Sequence, residues 1–244
     1  MANRLTIYFT SDTHGYLFPT DYAAAQPKPM GLLGEIAQFR KDENTLILDG
    51  GDTLQGSPLS YYYHLRGLPG PAVRALNLGK YDFVTLGNHD FNYGPQALKA
   101  YLCALDARCL CANVAAEALP IAPCAVKTMG NGLRVGIVGI VTDWVNRWEK
   151  PANLEGIRVT EPLEAARAAL ESMRGKVDFT IGIYHGGYEK DLQTGRLLSD
   201  TDENIACRIC EELDFDLLLT GHQHLKLENA VWHGTHLAQT PANG

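Results

Sequence analysis

The chain has 244 residues, of which 45% are hydrophobic and 20% are charged, a globular composition with enough apolar residues for one sizeable core. Its formal net charge of −7 disfavours a protein that grips nucleic-acid backbones non-specifically, because such proteins usually present a basic face. An acidic chain can still bind a phosphorylated substrate if a metal ion supplies the positive charge.

The first half of the chain is predicted to alternate between strands and helices. Runs of β-branched, aromatic and other apolar residues predict strands at 5–10, 45–49 and 83–86. Helical patterns lie between and after them, at about 32–40, 58–65, 71–76 and 96–104.

The second half adds a turn signal, Gly130-Asn131-Gly132, which predicts a hairpin. Strands are predicted at 107–111, 122–127, 133–140, 178–183, 215–220, 225–227, 230–232 and 235–239, and helices at 161–173 and 202–213. Strands that alternate with helices imply an α/β fold, and the extra hairpins favour two facing sheets over one open sheet.

Polar side chains follow five of the predicted strands directly. They are Asp12 and His14, Asp52, Asn88 and His89, His185, and His222 and His224. Carboxylate, imidazole and amide groups form a ligand set that suits Mn²⁺, Zn²⁺, Fe or Co²⁺. The set is too large for one ion, whereas two ions that share a bridging carboxylate would use it well.

Glycines beside these residues allow tight turns, so that the side chains can converge. The two pairs spaced by two residues, Asp12 with His14 and His222 with His224, would each point one way if the backbone stayed extended.

Taken in order, the motifs D-x-H, G-D-x-x-x-G, G-N-H-D, a lone His after a strand, and G-H-x-H resemble those of the calcineurin-like metallophosphoesterases. They extend from Asp12 to His224, which is nearly the whole chain. The segments from Gly87 to Gly94 and from Cys111 to Val114 are similar to those of one group within it, the 5'-nucleotidases and 2',3'-cyclic-nucleotide phosphodiesterases.

This resemblance implies a four-layer α/β/β/α sandwich with mixed sheets, and two divalent metal ions. Asp12, His14, Asp52 and His224 would hold the first ion. Asp52, Asn88, His185 and His222 would hold the second, so that Asp52 is the bridge. A hydroxide would attack phosphorus in line with the leaving oxygen, and His89 would protonate that oxygen or stabilise its charge.

The chain departs from the 5'-nucleotidase pattern at Asn92, where those enzymes carry an Asp that supports the catalytic His. An amide can orient an imidazole but cannot offset its positive charge. We therefore predict a phosphoesterase for small nucleotides that prefers 2',3'-cyclic or 3'-phosphates.

Three alternative functions are also compatible with the sequence. A 5'-nucleotidase or sugar-nucleotide hydrolase is the nearest, and a non-catalytic binding module that keeps its metals as a structural clamp comes from a different class. A nuclease is disfavoured by the acidic balance. Gln55 and Asn113 are possible site-wall residues, Asp49 is a possible orienting group, and Trp144 and Trp148 are predicted to pack at the surface.

We expect residues 1–244 to form a single domain, without the separate C-terminal nucleotide-specificity domain of the family. The six cysteines are predicted to be free thiols, and the chain carries neither a recognisable signal peptide nor an apolar run long enough to cross a membrane. These features predict a cytoplasmic protein that binds no membrane and no nucleic-acid polymer. A periplasmic or extracellular location would follow if a signal peptide had been removed, and the oligomeric state is not predicted.

Overall fold

Two β-sheets pack face to face, and helices cover the outer side of each. The structure is a computed structural model that describes residues 4–23 and 26–243. In chain order its strands are β1 (Thr6–Thr10), β2 (Thr45–Asp49), β3 (Phe83–Val84), β4 (Arg108–Leu110), β5 (Val114–Ala115), β6 (Ile121–Ala122), β7 (Cys124–Thr128), β8 (Arg134–Val141), β9 (Arg158–Val159), β10 (Phe179–His185), β11 (Leu217–Thr220), β12 (Leu227–Trp232) and β13 (Thr235–Gln239).

The helices are α1 (Leu32–Ile36), α2 (Pro58–His64), α3 (Pro71–Leu78), α4 (Gly94–Ala104), α5 (Val145–Trp148), α6 (Pro162–Ser172) and α7 (Ala206–Glu212). Proline occupies the first helical position of α2, α3 and α6, where its missing N–H has no intrahelical partner to lose. Among the residues with described positions, no helix is long and apolar enough to cross a membrane.

The first sheet has the order β1-β2-β3-β4-β6, and all of its pairings are parallel. The second has the order β12-β13-β11-β10-β8-β7, with parallel pairings in its centre and an antiparallel pair at each edge. The second sheet is thus the predicted mixed sheet, and the first is entirely parallel. The first sheet receives only crossover connections, which keep its strands parallel.

The core between the sheets is made by the facing strands. Leu46 and Leu48 of β2 pack in one buried cluster with Ile137 of β8 and with Ile181 and Ile183 of β10. Separate buried clusters join α2, α3 and α4 to the first sheet and α6 and α7 to the second. The predicted four-layer α/β/β/α architecture is confirmed.

Most predicted elements are present, with ends that shift by a few residues. The predicted hairpin is formed by β7 and β8, and the helix predicted at 32–40 ends at Ile36. The two-residue strands β5 and β9, which pair with each other, and the one-turn helix α5 were not predicted. Such short elements give no periodic pattern to detect.

The strand order decides where the polar loops meet. The strands β1, β2 and β3 are parallel neighbours, as are β10 and β11, so each set delivers its following loops to one edge of its sheet.

Candidate metal centre

All seven residues predicted as metal ligands lie at or just after the carboxyl ends of strands β1, β2, β3, β10 and β11. Residues from both sheets face one another there. Two sets of carboxylate and imidazole groups, Asp12 with His14 and His224, and Asp12 with Asp52 and His185, have ligand atoms that all lie within 4.8 Å of one another. Asn88 and His222 lie beside them, and their polar atoms are 3.0 Å apart.

The two carboxylates are buried, and each lies between two imidazoles. Oδ2 of Asp52 is 3.2 Å from Nε2 of His185 and 3.9 Å from Nε2 of His14. Oδ1 of Asp12 is 3.3 Å from Nε2 of His224 and 3.9 Å from Nε2 of His185. Both carboxylates are therefore placed to be shared between neighbouring ligand groups.

Backbone carbonyls fix the imidazole orientation of two histidines. Nδ1 of His185 is 2.7 Å from the carbonyl oxygen of Gly50, and Nδ1 of His14 is 2.9 Å from that of Gln55. A carbonyl oxygen only accepts, so each Nδ1 carries a proton, and Nε2 is the nitrogen that remains to bind a proton or a cation.

The buried Nε2 of His185 has no hydrogen-bond partner among the described residues, although the Asp52 oxygen is 3.2 Å away. In the neutral ring this is a lone pair that faces a carboxylate, an arrangement that a cation between them would stabilise.

His222 repeats this pattern with its nitrogens exchanged. Its Nε2–H donates a hydrogen bond to the carboxylate of Glu203 at 2.9 Å, and its Nδ1 lone pair faces the amide oxygen of Asn88 at 3.0 Å. Across the site, the Nε2 atoms of His14 and His224 are 3.1 Å apart. Several acceptor atoms therefore converge where a donor or a cation is needed.

The electrostatics agree with this geometry. Burial alone would lower the pKa of His185, but the Asp52 and Asp12 carboxylates outweigh it and raise that pKa to about 10. Burial would raise the pKa of Asp52, yet His185 holds it well below its usual range. The negative charge of the paired carboxylates thus binds a proton on His185, and a divalent cation could take the place of that proton.

The backbone conformation is a finding that the sequence did not predict. Positive φ angles of 50° to 70° occur at five of the seven predicted ligands, namely Asp12, His14, Asp52, His222 and His224. The extended backbone invoked for the two closely spaced pairs is therefore wrong. Left-handed backbone at non-glycine residues is unfavourable and persists where packing enforces it, often at functional sites.

Glycines make the close approach possible. A Cβ added at Gly87 would overlap the Asp52 carboxylate and the His185 ring, and one added at Gly51, whose φ is 92°, would overlap the backbone of Gly87. Only glycine at these two positions lets the loops after β2 and β3 touch.

Asp90 holds the same two loops together. Its buried carboxylate accepts hydrogen bonds from the backbone N–H groups of Asp52, Thr53 and Leu54 at 2.9 to 3.0 Å and from Gly87 at 2.8 Å. The residue therefore positions Asp52 through its backbone.

His89 lies at the edge of the metal-ligand cluster. Its backbone N–H donates to Oδ1 of Asp52 at 2.7 Å, and its Nδ1 is 2.7 Å from Oδ1 of Asn92. A cavity of about 350 Å³ opens beside it and is lined by Asn88, His89, Asn92, Val145, Trp148, Glu149 and His222.

Trp148 was predicted to pack at the surface, and it is exposed there; its ring also stacks on the His222 ring with centroids 5.5 Å apart and lines the cavity. It is therefore a wall of the site.

Gln55 contributes its backbone carbonyl to His14, Asn113 bonds the backbones of Val141 and Thr160, and Asp49 accepts from the hydroxyls of Thr10 and Thr53. Asn113 is thus structural, and Asp49 supports the loop before Asp52.

Glu149 and Glu203 were missed by sequence reasoning. Each contacts a site residue, through hydrogen bonds to Asn92 and to His222, respectively. Neither glutamate lies in a motif, so no sequence signal marks them.

The chain is similar to known phosphoesterases over most of its length. The family model described as calcineurin-like phosphoesterase matches residues 5–226. The chain is similar to the trifunctional nucleotide phosphoesterase protein YfkN of Bacillus subtilis, with 29% identity over 94% of this chain and 17% of the relative. It is also similar to the 2',3'-cyclic-nucleotide 2'-phosphodiesterase/3'-nucleotidase of Salmonella typhimurium, with 30% identity over 90% of this chain and 36% of the relative.

Among solved structures, a candidate 5'-nucleotidase from Staphylococcus aureus matches with a TM-score of 0.89 and 33% identity, over 98% of this chain and 48% of that one. The chain therefore spans less than half the length of each of these three relatives. The family match covers most of the chain and includes every predicted ligand, so the chain belongs to the calcineurin-like phosphoesterase family.

Proposed function

We propose that this chain hydrolyses phosphoric esters of small nucleotides with the help of two divalent cations. The proposal rests on imidazole nitrogens that converge on two buried carboxylates beside a cavity lined by His89. Among the residues the structure describes, Nε2 of His185 has no hydrogen-bond partner, and it lies 3.2 Å from Asp52. Such a ligand set suits Mn²⁺, Zn²⁺, Fe or Co²⁺.

Asp12, His14, Asp52 and His224 would hold one cation, and Asp52, Asn88, His185 and His222 the other. The contacts of Asp52 with both His14 and His185 support its role as the shared ligand. When bound, the cations would supply Lewis acidity toward the phosphoryl oxygens and lower the pKa of a bound water.

His89 is the proposed proton donor to the leaving oxygen. Its Nδ1 is engaged by Asn92, which leaves Nε2 as the nitrogen that can pass a proton to the leaving group. A positioned proton donor typically contributes about 10²- to 10⁴-fold in rate.

For the substrate we propose 2',3'-cyclic or 3'-nucleotides. Asn92 in place of an Asp beside His89 supports this choice, as does the similarity to the Salmonella typhimurium enzyme named for both activities. A 5'-nucleotide is the second candidate, favoured by the likeness to the Staphylococcus aureus protein. Rates on 2',3'-cyclic AMP, 3'-AMP and 5'-AMP, measured side by side, rank them.

The test of the proposed function uses purified protein loaded with Mn²⁺, assayed on bis-p-nitrophenyl phosphate and on these nucleotides, with chelator-treated protein as the control. We expect turnover that the chelator abolishes and that added Mn²⁺ restores. Hydrolysis of none of these esters by the loaded protein would overturn the proposal and favour a binding module.

A further inference from the structure

We propose that Glu149 is a positioning residue that orients the side chain of Asn92 and thereby prepares His89 to donate a proton. This inference rests on the proposed function, in which His89 is the proton donor. It concerns the short segment after α5, which carries no motif.

The contacts form a chain of three side chains. Nδ2 of Asn92 donates to Oε2 of Glu149 at 2.6 Å, and Oδ1 of Asn92 is 2.7 Å from Nδ1 of His89. A carboxylate only accepts hydrogen bonds, so Glu149 must face the NH₂ end of the amide. The carbonyl end is then directed at His89, whose Nδ1 must carry a proton to complete the bond.

That orientation matters because a histidine that donates from Nε2 needs protons on both nitrogens. In the transfer, a hydroxide oxygen bonds to phosphorus while the P–O bond to the leaving group breaks, and the electron pair of the broken bond goes to the leaving oxygen. The Nε2–H bond of His89 breaks as an O–H bond forms there, and the ring is left neutral with Nδ1–H still bound to Asn92. If the amide were turned around, its NH₂ group would face Nδ1, and the hydrogen bond from Nδ1–H to Asn92 would be lost.

Glu149 is itself held firmly. Its Oε1 accepts from the backbone N–H of Lys150 and from Nδ2 of Asn153, both at 2.8 Å, and Nδ2 of Asn153 also reaches the backbone oxygen of Asn92 at 2.9 Å. These bonds suggest a rival role, in which Glu149 only ties its segment to the turn that contains His89. Kinetic and spectroscopic measurements on variants separate that role from the positioning of Asn92.

The first test is Glu149→Ala in the Mn²⁺-loaded protein. We expect kcat on 3'-AMP to fall by about 10- to 100-fold, the range for removing a group that orients an imidazole, with KM and metal content nearly unchanged. With bis-p-nitrophenyl phosphate the loss should be several-fold smaller, since nitrophenolate leaves without a proton. Glu155→Ala on the same segment is the matched control, because Glu155 is exposed and lines a different cavity.

The decisive test exchanges the two groups. Asn92→Asp alone would place two carboxylates against each other, and Glu149→Gln alone would remove the charge. Combining Asn92→Asp with Glu149→Gln restores one carboxylate and one amide, with the carboxylate toward His89. We expect kcat of the double variant on 3'-AMP to be at least about tenfold higher than that of Asn92→Asp, which would show that the two side chains are strongly coupled. Multiplicative losses in the double variant would overturn the inference.

A spectroscopic readout works without turnover. In two-bond ¹H–¹⁵N spectra of the Zn²⁺-loaded protein, neutral His89 should be the Nδ1–H tautomer in the wild type and in the double variant, and should lose that preference in Glu149→Ala. An unchanged Nδ1–H tautomer in Glu149→Ala would also overturn the inference. If the wild type hydrolyses no phosphoester, the proposed function fails, while the spectrum still reports whether Glu149 orients Asn92.

Discussion

Replacing Asp52 by Asn tests whether one carboxylate serves both cations. Asp52 is buried, and its Oδ2 lies 3.2 Å from His185 and 3.9 Å from His14, which belong to different proposed ligand sets. An amide has nearly the same shape but lacks the charge. Removing one partner of a buried charge pair costs about 3 to 5 kcal/mol, which corresponds to an affinity lower by about two to three and a half orders of magnitude.

We expect the Asn variant to lose both cations, since each would lose the same charged ligand. The assay is elemental analysis after dialysis against a defined concentration of Mn²⁺, together with isothermal titration of the metal-free protein. A matched control is Asp82→Asn, which removes a charge that pairs with Lys41 and Lys127 away from the site. Retention of two equivalents by Asp52→Asn would refute the reasoning, and retention of one would reassign Asp52 to a single cation.

Three other changes give independent tests. For His89→Ala we expect kcat to fall at least about 100-fold with full metal content, and unchanged turnover would remove His89 from the mechanism. Glu203→Ala frees Nε2 of His222, so we expect one cation to bind about 10- to 100-fold more weakly in a titration, and two unchanged affinities would contradict the orienting role. Burial raises the pKa of Asp49 from 3.8 to about 7, so the folded protein binds a proton between these pH values that the unfolded chain releases, and stability should fall as pH rises. Denaturant titrations of metal-free protein from about pH 5 to pH 8 should show the wild type losing up to about 3 kcal/mol more than Asp49→Asn, and equal slopes would refute the assignment.

Much of the site was predictable because its ligands follow a rule of topology. Parallel strands deliver their next loops to one edge of a sheet, so polar residues after apolar runs are expected to meet there, as Asp12 and Asp52 do in the first sheet and His185 and His222 in the second. The two facing sheets were predicted from the pattern of strands, helices and hairpins, whereas the four layers were predicted from the family resemblance.

The parts that escaped prediction depend on contacts between residues that are distant in the chain. Glu149 reaches Asn92 across 57 positions and Glu203 reaches His222 across 19, and nothing near either glutamate in the sequence marks it. The left-handed backbone at Asp12 and Asp52 likewise occurs where loops approach each other closely, which propensity does not encode. Which sheet each hairpin would join also depends on distant contacts: the pairs β7–β8 and β12–β13 both lie in the second sheet, which leaves the first sheet entirely parallel.

An anomalous difference map from crystals of the Mn²⁺-loaded wild-type protein would locate the cations themselves. We predict two peaks, one among Asp12, His14, Asp52 and His224 and the other among Asp52, Asn88, His185 and His222. A single peak, or manganese bound away from these residues, would contradict this prediction.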